Sequence, residues 1–346
     1  MRADSVSRKN QFLTPFQPPR QKLWRRLFQR TIEAGSVIHG RGTYRILRLL
    51  GEGGMGKVFL AEKLGVHGFN KLMAIKLMPK AGLSRQGALM FLDEAKLTAN
   101  LTHPNIIQTF QLVETRHDYW YVMEHVFGVT LLDFIERHAE LKKRPPVDYS
   151  CYIITRILSG LHYAHNKQSR NGEHLDIVHR DICPQNIMIS YRGVPKLADF
   201  GVAKAKTSHT ENEQQVTFGK YPYMAPEQVL KKGTEPRSDL YSLGLVMYEL
   251  FSGAPLHEAA NTSMLVEDLK SAAPPPDAFN EDVPPDLSHI IMKAIRNDKD
   301  KRYKSAKNMR VAMESFMLQK FMFPDQDGLA DYLTTLYPDA DRHRWW

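Results

Sequence analysis

An acid and an amide set five residues apart give the clearest chemical pattern in the sequence. Asp181 follows His179 and Arg180, and Asn186 closes the same short stretch. The carboxylate can accept the proton of an attacking hydroxyl, and the amide can offer a neutral oxygen to a magnesium ion. Phosphoryl transfer requires this arrangement, but the spacing is only suggestive until a nucleotide-binding part is found elsewhere in the chain.

A second acid lies where a charged metal ligand is needed. Asp199 begins the triplet Asp199-Phe200-Gly201, thirteen residues after Asn186, and the apolar run 187–189 between them is typical of a strand. Carboxylate and amide oxygens are the hard ligands that magnesium prefers. We therefore predict Asn186 and Asp199 as metal ligands for magnesium, with manganese as the alternative ion.

A glycine-rich turn supplies a candidate phosphate-binding element. Gly51, Gly53 and Gly56 have a spacing that is also found in dinucleotide-binding folds, so alone it is a weak pattern. In those folds the glycines open a helix, whereas the segment 58–60 here favours a strand. The turn therefore predicts a hairpin lid whose backbone N–H groups approach phosphate, and the lack of a βαβ pattern disfavours dinucleotide binding.

Lys76 is a charged residue within the apolar strand predicted over 72–78. A buried lysine needs an anionic partner. The α- and β-phosphates of a nucleotide are one candidate, and a helix carboxylate is another. Asp93 and Glu94 lie seventeen and eighteen residues further on, in a run of helical period, and either could be that carboxylate.

Taken together, these motifs resemble the Hanks-type Ser/Thr protein kinases of bacteria, particularly those of myxobacterial type. The resemblance covers about residues 44–318 and includes the Gly-Gly-Met-Gly run at 53–56, the Cys-Pro-Gln-Asn run at 183–186 and the segment 220–227 that ends in Ala-Pro-Glu. It implies an α+β fold with two lobes, one rich in strands and one mainly helical. The implied ranges are a basic and partly disordered extension (1–40), a small lobe (41–123), a hinge (124–128), a large lobe (129–318) and a C-terminal tail with a short helix (319–346).

The resemblance also implies roles for individual residues. Asp181 would be the catalytic base, and Lys76, paired with Glu94, would position ATP. Asp239 would support the backbone of the catalytic loop, and Arg302 would be the buried partner of Glu227. The implied nucleotide contacts, with Met123 as gatekeeper, the backbone of Glu124 and Val126 at the adenine edge and Met188 beneath the adenine, are Leu50, Gly51, Glu52, Gly53, Gly54, Met55, Gly56, Lys57, Val58, Ala74, Lys76, Met123, Glu124, Val126 and Met188.

Two positions depart from the family pattern. Cys183 stands where Ser/Thr kinases have a lysine, and Lys220 stands where they have a threonine. We hypothesise that Lys220 supplies the missing positive charge near Asp181, since the demand for charge there is strong. The alternative is two unrelated changes with Lys220 in solvent.

The same departures leave the function less sharply defined. Both usual markers of Ser/Thr specificity are altered, so that specificity, with autophosphorylation, rests on the overall resemblance. A pseudokinase scaffold and a dual-specificity kinase remain as alternatives. A small-molecule phosphotransferase is disfavoured because the complete segment before Ala-Pro-Glu serves a polypeptide substrate.

Composition sets outer limits on the function. The chain has 346 residues, 42% of them hydrophobic and 25% charged, as in ordinary globular proteins. The formal net charge is +9, but residues 1–30 contribute +7, so a nucleic-acid-binding core is not expected. No apolar run approaches about 18 residues, and two cysteines suit a reducing compartment, so we predict a cytoplasmic protein without a transmembrane segment.

Two stretches outside the kinase motifs predict amphipathic helices. Residues 21–30 place apolar and aromatic side chains on one face among basic ones, as in helices that bind an anionic membrane surface or a partner. A helix packed on the folded domain, or no helix, is the alternative because ten residues are marginal alone. Near the other end, Leu329, Tyr332, Leu333 and Leu336 predict a short helix docked on the large lobe.

Overall fold

The computed structural model describes residues 32–40, 42–53, 56–80, 92, 95–96, 98–200, 221–259 and 261–340. The basic segment 21–30 lies outside these residues, so its predicted helix stays a prediction. The same is true of any docking by Trp345 and Trp346.

The described part of the first lobe contains an antiparallel sheet of six strands in the order β1-β2-β3-β4-β6-β5. Its strands are β1 (Val37–His39), β2 (Thr43–Gly53), β3 (Gly56–Leu64), β4 (Lys71–Pro79), β5 (Thr109–Glu114) and β6 (Asp118–Glu124). Strand β1 pairs with β2, with Val37 opposite Arg45. The sheet therefore begins a few residues before the boundary at 41 that the sequence suggested.

Alternation along β4 explains how a lysine comes to lie in an apolar strand. Met73 and Ile75 point to one face, where they pack in a cluster with Phe59 and Val122. Ala74 and Lys76 point to the opposite face. The register places Lys76 opposite Val58 on β3 and Tyr121 on β6, in the middle of the sheet. The sheet thus presents one buried cation on the face away from its main core.

The second lobe is helical, with a small three-stranded sheet near the junction. Its strands, in the order β7-β8-β9, are β7 (Gly128–Thr130), β8 (Ile187–Ser190) and β9 (Pro195–Leu197). Its helices are α1 (Leu131–Glu140), α2 (Val147–His165), α3 (Pro226–Val229), α4 (Pro236–Ser252), α5 (Thr262–Asp268), α6 (Pro285–Ala294), α7 (Ala306–Gln319) and α8 (Gln326–Leu336).

Helices α2 and α4 form the centre of this lobe. Helix α2 buries Ile153, Ile157 and Leu161 in the main core cluster, as the period of the sequence indicates. Helix α4 is buried from Ser238 to Ser252 and ends at Gly253, whose φ of 91° is left-handed. An element buried on all sides is a rigid support, and the carboxylate of Asp239 projects from its first turn.

The C-terminal helix α8 packs on the large lobe as predicted. Asp325 caps its N-terminus by accepting a hydrogen bond from the Gly328 N–H. Leu329, Leu333 and Leu336 are buried in the same core cluster as α2 and α4. Helix α8 is therefore part of the core, and not a tail beside it.

Across the described ranges, no helix combines the length and the apolar character needed to cross a membrane.

The docking of α8 can be tested with one matched pair of substitutions. Leu333 is fully buried on α8, whereas Leu318 on α7 is 64% exposed. Leu333→Ala should lower the free energy of unfolding by about 2–5 kcal/mol, because it leaves a cavity in the core. Leu318→Ala should change it by less than about 0.5 kcal/mol. Urea denaturation followed by circular dichroism measures both values, and equal effects would contradict the docked position.

Candidate active site

One buried carboxylate fixes the backbone of the loop that contains Asp181. Asp239 accepts hydrogen bonds from the His179 N–H and the Arg180 N–H, each at 2.8 Å, and from His165 Nε2 at 2.8 Å. Arg180 has a φ of 66°, a conformation that a non-glycine residue adopts only when its surroundings impose it. The support predicted for Asp239 is therefore confirmed.

These hydrogen bonds also keep Asp239 ionised in the interior. Burial alone would raise the pKa of its carboxyl, but the hydrogen bond and charge of His165, together with His179, leave that pKa below its ordinary value. Asp239 thus remains an anion that accepts from several N–H groups.

Asp181 and Asn186 contact each other directly. The Asn186 amide nitrogen donates to the Asp181 carbonyl at 2.7 Å and to its carboxylate at 2.9 Å. Pro184–Asn186 forms a 3₁₀ turn that brings the amide back toward the acid. With its nitrogen engaged in this way, Asn186 directs its oxygen to the other side, in an orientation inferred from the hydrogen-bond network.

His179 connects this loop to the segment that carries Asp199. Its Nδ1 accepts from the Asp181 N–H at 3.2 Å, and its Nε2 donates to the Ala198 carbonyl at 2.7 Å. Burial lowers the pKa of His179, which suits a neutral ring with one donor and one acceptor. The position of Asp199 therefore depends on the geometry of the Asp181 loop.

Lys76 and Asp199 form an ion pair between the two lobes. The Lys76 Nζ lies 2.7 Å from Asp199 Oδ2, and the lysine side chain is only 6% exposed. The sequence predicted that Lys76 needs an anion but proposed Glu94, which lies outside the described residues, so that pair stays a prediction. Asp199 was assigned only to metal binding. Its contact with Lys76 was missed, although both residues were expected beside the same phosphates.

Several predicted nucleotide contacts lie around this pair. Lys76, Met123, Asp199 and Phe200 line one pocket together with residues of the segment 98–109. Ala74 is buried on the same face of β4 as Lys76, and Val58 lies opposite Lys76 on β3. Met123 thus lines the same pocket as Lys76, and its role as a gatekeeper stays a prediction.

The segment predicted as the hinge connects β6 to β7. The Glu124 N–H donates to the Gln108 carbonyl at 2.9 Å, and its carboxylate lies 2.9 Å from the Lys196 Nζ. This second ion pair across the junction was not predicted. Val126 and Met188 are half-buried nearby, with Met188 opposite Lys196 on β9. Their proposed contacts with adenine stay predictions.

The glycine-rich turn forms a hairpin between β2 and β3. Glu52 and Lys57 on its two arms form an ion pair at 3.1 Å, and Gly51 and Leu50 lie on its first arm. Gly56 has a φ of 130°, and a Cβ there would lie 2.0 Å from the Leu77 carbonyl oxygen. Only glycine fits this position. The hairpin that separated this turn from dinucleotide-binding folds is present, while Gly54 and Met55 lie outside the described residues.

Cys183, the first position that departs from the family pattern, is 2% exposed and belongs to the core of the large lobe. It fills space in the core and brings no cation to the site. Lys220, the second such position, lies outside the described residues, so the relocated charge stays a hypothesis.

The donor groups fit a magnesium ion that is held partly by substrate. Asp199 offers a carboxylate and Asn186 an amide oxygen, and magnesium is usually bound by one or two such groups together with phosphates and water. Among the residues that the structure describes, no group of three or more His, Cys, Asp or Glu side chains is arranged to hold a metal ion by itself.

The predicted partnership of Glu227 and Arg302 is confirmed. The guanidinium makes two bonds to the carboxylate, at 2.8 and 2.9 Å, and the Ser238 hydroxyl adds a third at 2.6 Å. Burial would raise the pKa of Glu227, but these donors lower it below its ordinary value. The end of the segment 220–227 is thereby fixed to α4 and to the loop before α7.

Comparisons with known proteins agree with this geometry. Residues 44–316 match the protein kinase domain family. The chain is 34% identical over 289 residues to the tyrosine-protein kinase MasK of Myxococcus xanthus, covering 82% of this chain and 45% of that protein. It is 33% identical over 309 residues to the serine/threonine-protein kinase PrkC of Bacillus subtilis, covering 89% and 44%. It is also 32% identical over 281 residues to the serine/threonine-protein kinase PknB of Mycolicibacterium smegmatis, covering 79% and 42%. The chain therefore spans less than half the length of these relatives.

The contribution of Asp239 to the stability of the fold should decrease as the pH falls. Because its pKa is lowered in the folded protein, its stabilising effect is complete above the ordinary carboxyl pKa of about 4 and is lost as the pH falls through the lower folded value. Asp239→Asn should therefore lower the free energy of unfolding by about 3 kcal/mol at neutral pH. The difference in stability between the variant and the wild type should shrink below about pH 4.

Thermal melting between neutral pH and about pH 3 measures that difference. The exposed substitution Asp282→Asn is the matched control and should have no effect at any pH. A destabilisation by Asp239→Asn that is equal at all pH values would contradict the role of an ionised carboxylate.

Proposed function

The chain belongs to the protein kinase family, and on that basis we propose that it transfers the γ-phosphoryl group of ATP to Ser or Thr hydroxyls of proteins. The observation that carries the proposal is the contact of Lys76 with Asp199 beside the bonded pair Asp181 and Asn186. These four side chains come from three separate parts of the sequence and meet at one cleft. A scaffold without catalysis would need no such set.

Each of the four residues has a role that follows from its chemistry. Lys76, buried and positively charged, binds the α- and β-phosphates and orients them. Asp199 and Asn186 provide oxygen ligands for a divalent metal, which we take to be magnesium and which, when bound, neutralises charge on the phosphates. The ion pair with Lys76 keeps the Asp199 carboxylate next to the phosphate-binding lysine.

Asp181 acts on the protein substrate. Its carboxylate accepts the proton of the attacking hydroxyl, and the hydrogen bond from Asn186 fixes its orientation. The loop backbone, bonded to Asp239, does not need to rearrange when the hydroxyl arrives. This preorganisation is how such a site lowers the barrier for phosphoryl transfer.

A polypeptide substrate is supported by the anchored end of the segment 220–227. Glu227 is fixed by Arg302 and Ser238, so the chain before it has a rigid support close to the Asp181 loop. The Gln228 side chain also donates to the Arg180 carbonyl at 3.0 Å. We expect autophosphorylation as well, because the same chain carries hydroxyls between Asp199 and Glu227.

We further propose a cytoplasmic location. Cys151 and Cys183 are both buried and form no disulfide, as in proteins of reducing compartments. The basic segment 21–30 is our candidate for contact with a membrane surface or another protein.

Phosphorylation of tyrosine is a second candidate, and one observation favours it. The buried Cys183 replaces the lysine by which the family's Ser/Thr enzymes are recognised, and one relative is named a tyrosine kinase. A dual-specificity enzyme would explain both facts.

The catalytic role of Asp181 gives the first test. Asp181→Asn should lower kcat by about 10²–10⁴-fold, because the amide cannot accept the proton. Transfer of label from ATP to the chain itself and to a generic protein substrate measures this, with magnesium present and Asp282→Asn as the control. The absence of any incorporation that depends on Asp181 would defeat the proposal, and no incorporation at all would favour a pseudokinase.

Phosphoamino-acid analysis of the same products separates the two specificities. We expect phosphoserine and phosphothreonine. Phosphotyrosine alone would overturn the Ser/Thr assignment, and all three together would identify a dual-specificity enzyme.

The hypothesis that Lys220 replaces the missing lysine has its own test. Lys220→Ala should lower kcat at least about tenfold with little change in KM for ATP, whereas Lys220→Arg should keep most of the activity because it keeps the charge. Lys232→Ala, an exposed lysine beyond the Ala-Pro-Glu motif, is the matched control. An unchanged kcat in Lys220→Ala would show that the two departures are unrelated.

A further inference from the structure

An open groove of about 440 Å³ lies on the large lobe, away from the cleft around Lys76. It is formed by the C-terminal half of α2, by the residues that follow this helix, and by the segment that precedes β5. None of the residues that line it belongs to the proposed catalytic set. The side chains that matter for its chemistry are His103, Ser159, His162, Tyr163, Asn166 and Lys167.

The acceptors at one end of the groove are satisfied by the protein itself. The Asn105 N–H donates to His103 Nδ1 at 3.1 Å, so in the neutral ring Nε2 carries the hydrogen and faces the Ser159 hydroxyl at 3.4 Å. The same hydroxyl oxygen accepts from the Arg310 Nη1 at 3.4 Å. Because the Ser159 oxygen already accepts two hydrogen bonds, its O–H is available to donate to a ligand.

At the other end of the groove, His162 Nδ1 and the Tyr163 oxygen also accept hydrogen bonds from the protein itself. The Asn166 amide nitrogen donates to His162 Nδ1 at 2.9 Å, which leaves the hydrogen of His162 on Nε2. The Tyr163 oxygen accepts from the Thr102 N–H at 3.2 Å and from the Lys167 Nζ at 2.8 Å. Tyr163 therefore has its own O–H to donate. The groove therefore offers the donors of Ser159, His162, Tyr163 and Lys167, beside the amide oxygens of Asn166 and Gln168.

The charges around the groove are mostly positive. Burial first, and then the positive charges of Lys196 and Arg310, lower the pKa of His103; burial, Arg310 and Lys307 do the same for His162. The acid beside this group is Glu314 on α7, 3.6 Å from Arg310 Nε. That Nε atom is buried and has no hydrogen-bond partner among the residues described.

We propose that this groove binds a phosphate monoester carried by a polypeptide. A phosphorylated side chain brings close to two negative charges and three strong acceptor oxygens, which complement the donors of Ser159, His162 and Tyr163 and the charge of Lys167. The groove is larger than a phosphate group alone, and the stacked rings of His103 and Tyr163, 5.2 Å apart, offer an apolar surface to the flanking residues. Binding of this kind does not require the proposed catalysis.

Isothermal titration calorimetry on the full chain tests the proposal. The probes are a short phosphoserine peptide flanked by glycine and alanine, the same peptide without phosphate, and inorganic phosphate. A non-hydrolysable ATP analogue with magnesium is present at saturation, so that the nucleotide site cannot bind the probes. We expect the phosphopeptide to bind at least about tenfold more tightly than either other probe, because only it has both the dianion and the flanking contacts.

Substitutions locate the binding. Lys167→Ala should weaken binding of the phosphopeptide at least about tenfold, and Lys167→Arg should retain most of the wild-type affinity. Lys143→Ala removes the same charge from an exposed position before the other end of α2, a helix about 28 Å long, and should have no effect. Thermal melting of each variant establishes that it is folded, and Lys167 is partly exposed, so its loss should leave the fold intact.

Three results would overturn the proposal. The first is equal binding of the phosphorylated and unphosphorylated peptides. The second is binding of inorganic phosphate as tight as that of the phosphopeptide, which would identify a site for the free ion. The third is unchanged affinity in Lys167→Ala, which would place the phosphopeptide elsewhere on the chain. All three are independent of whether Asp181 supports phosphoryl transfer.

Discussion

The geometry of the candidate site depends on one buried carboxylate. Asp239 binds the N–H groups of His179 and Arg180, and Arg180 adopts its left-handed backbone conformation within this contact. That conformation turns the chain so that Asp181 faces the cleft while His179 packs inward against Phe200. The centroids of these two rings are 4.5 Å apart. Helix α4 can hold the loop in this conformation because the helix is buried along nearly its whole length. The catalytic loop is thus positioned by a helix that lies inside the large lobe.

A chain of single contacts connects the Asp239-supported loop to the sheet of the other lobe. His179 bonds Ala198, the next residue is Asp199, and Asp199 pairs with Lys76 in the sheet of the other lobe. The second pair, Lys196 with Glu124, joins the same short segment to the hinge. Both cross-lobe pairs therefore involve residues 196–199. A change in the tilt of the lobes would alter both ion pairs and the Asp199 carboxylate together.

Much of this arrangement could be predicted from the sequence, and the reason is local. The glycine turn, the lysine strand, the Asp181 loop and the Asp-Phe-Gly triplet each occupy a few consecutive residues of recognisable type. The support by Asp239 and the pair of Glu227 with Arg302 followed from resemblance, because nothing in their spacing reveals a contact across tens of residues. In the described residues the β2–β3 hairpin, the Asp181 loop and the contacts of Asp239 and Glu227 agree with these expectations, while the roles assigned to the site residues stay proposals.

The pairs Lys76–Asp199 and Lys196–Glu124 and the donor groove beside α2 could not be predicted in the same way. Each depends on which of several charged residues the folded chain brings within about 3 Å. Lys196, for example, looks like an ordinary surface lysine, and only its register on β9 opposite Met188 directs it to the hinge. Strand β1 was missed because three residues with one buried side chain give no periodic pattern.

The packing of α8 bears on where a kinase domain of this kind can be cut. The family match ends at residue 316, before α8 begins. However, the Leu336 carbonyl accepts from the Arg137 Nε, the Tyr337 hydroxyl donates to the Asp133 carbonyl, and the Tyr332 hydroxyl donates to His138 Nε2 at 2.5 Å. A recombinant fragment trimmed to the family boundary would expose this face of α1 to water and invite aggregation. An expressed domain should therefore extend at least to Tyr337, whatever its sequence profile suggests.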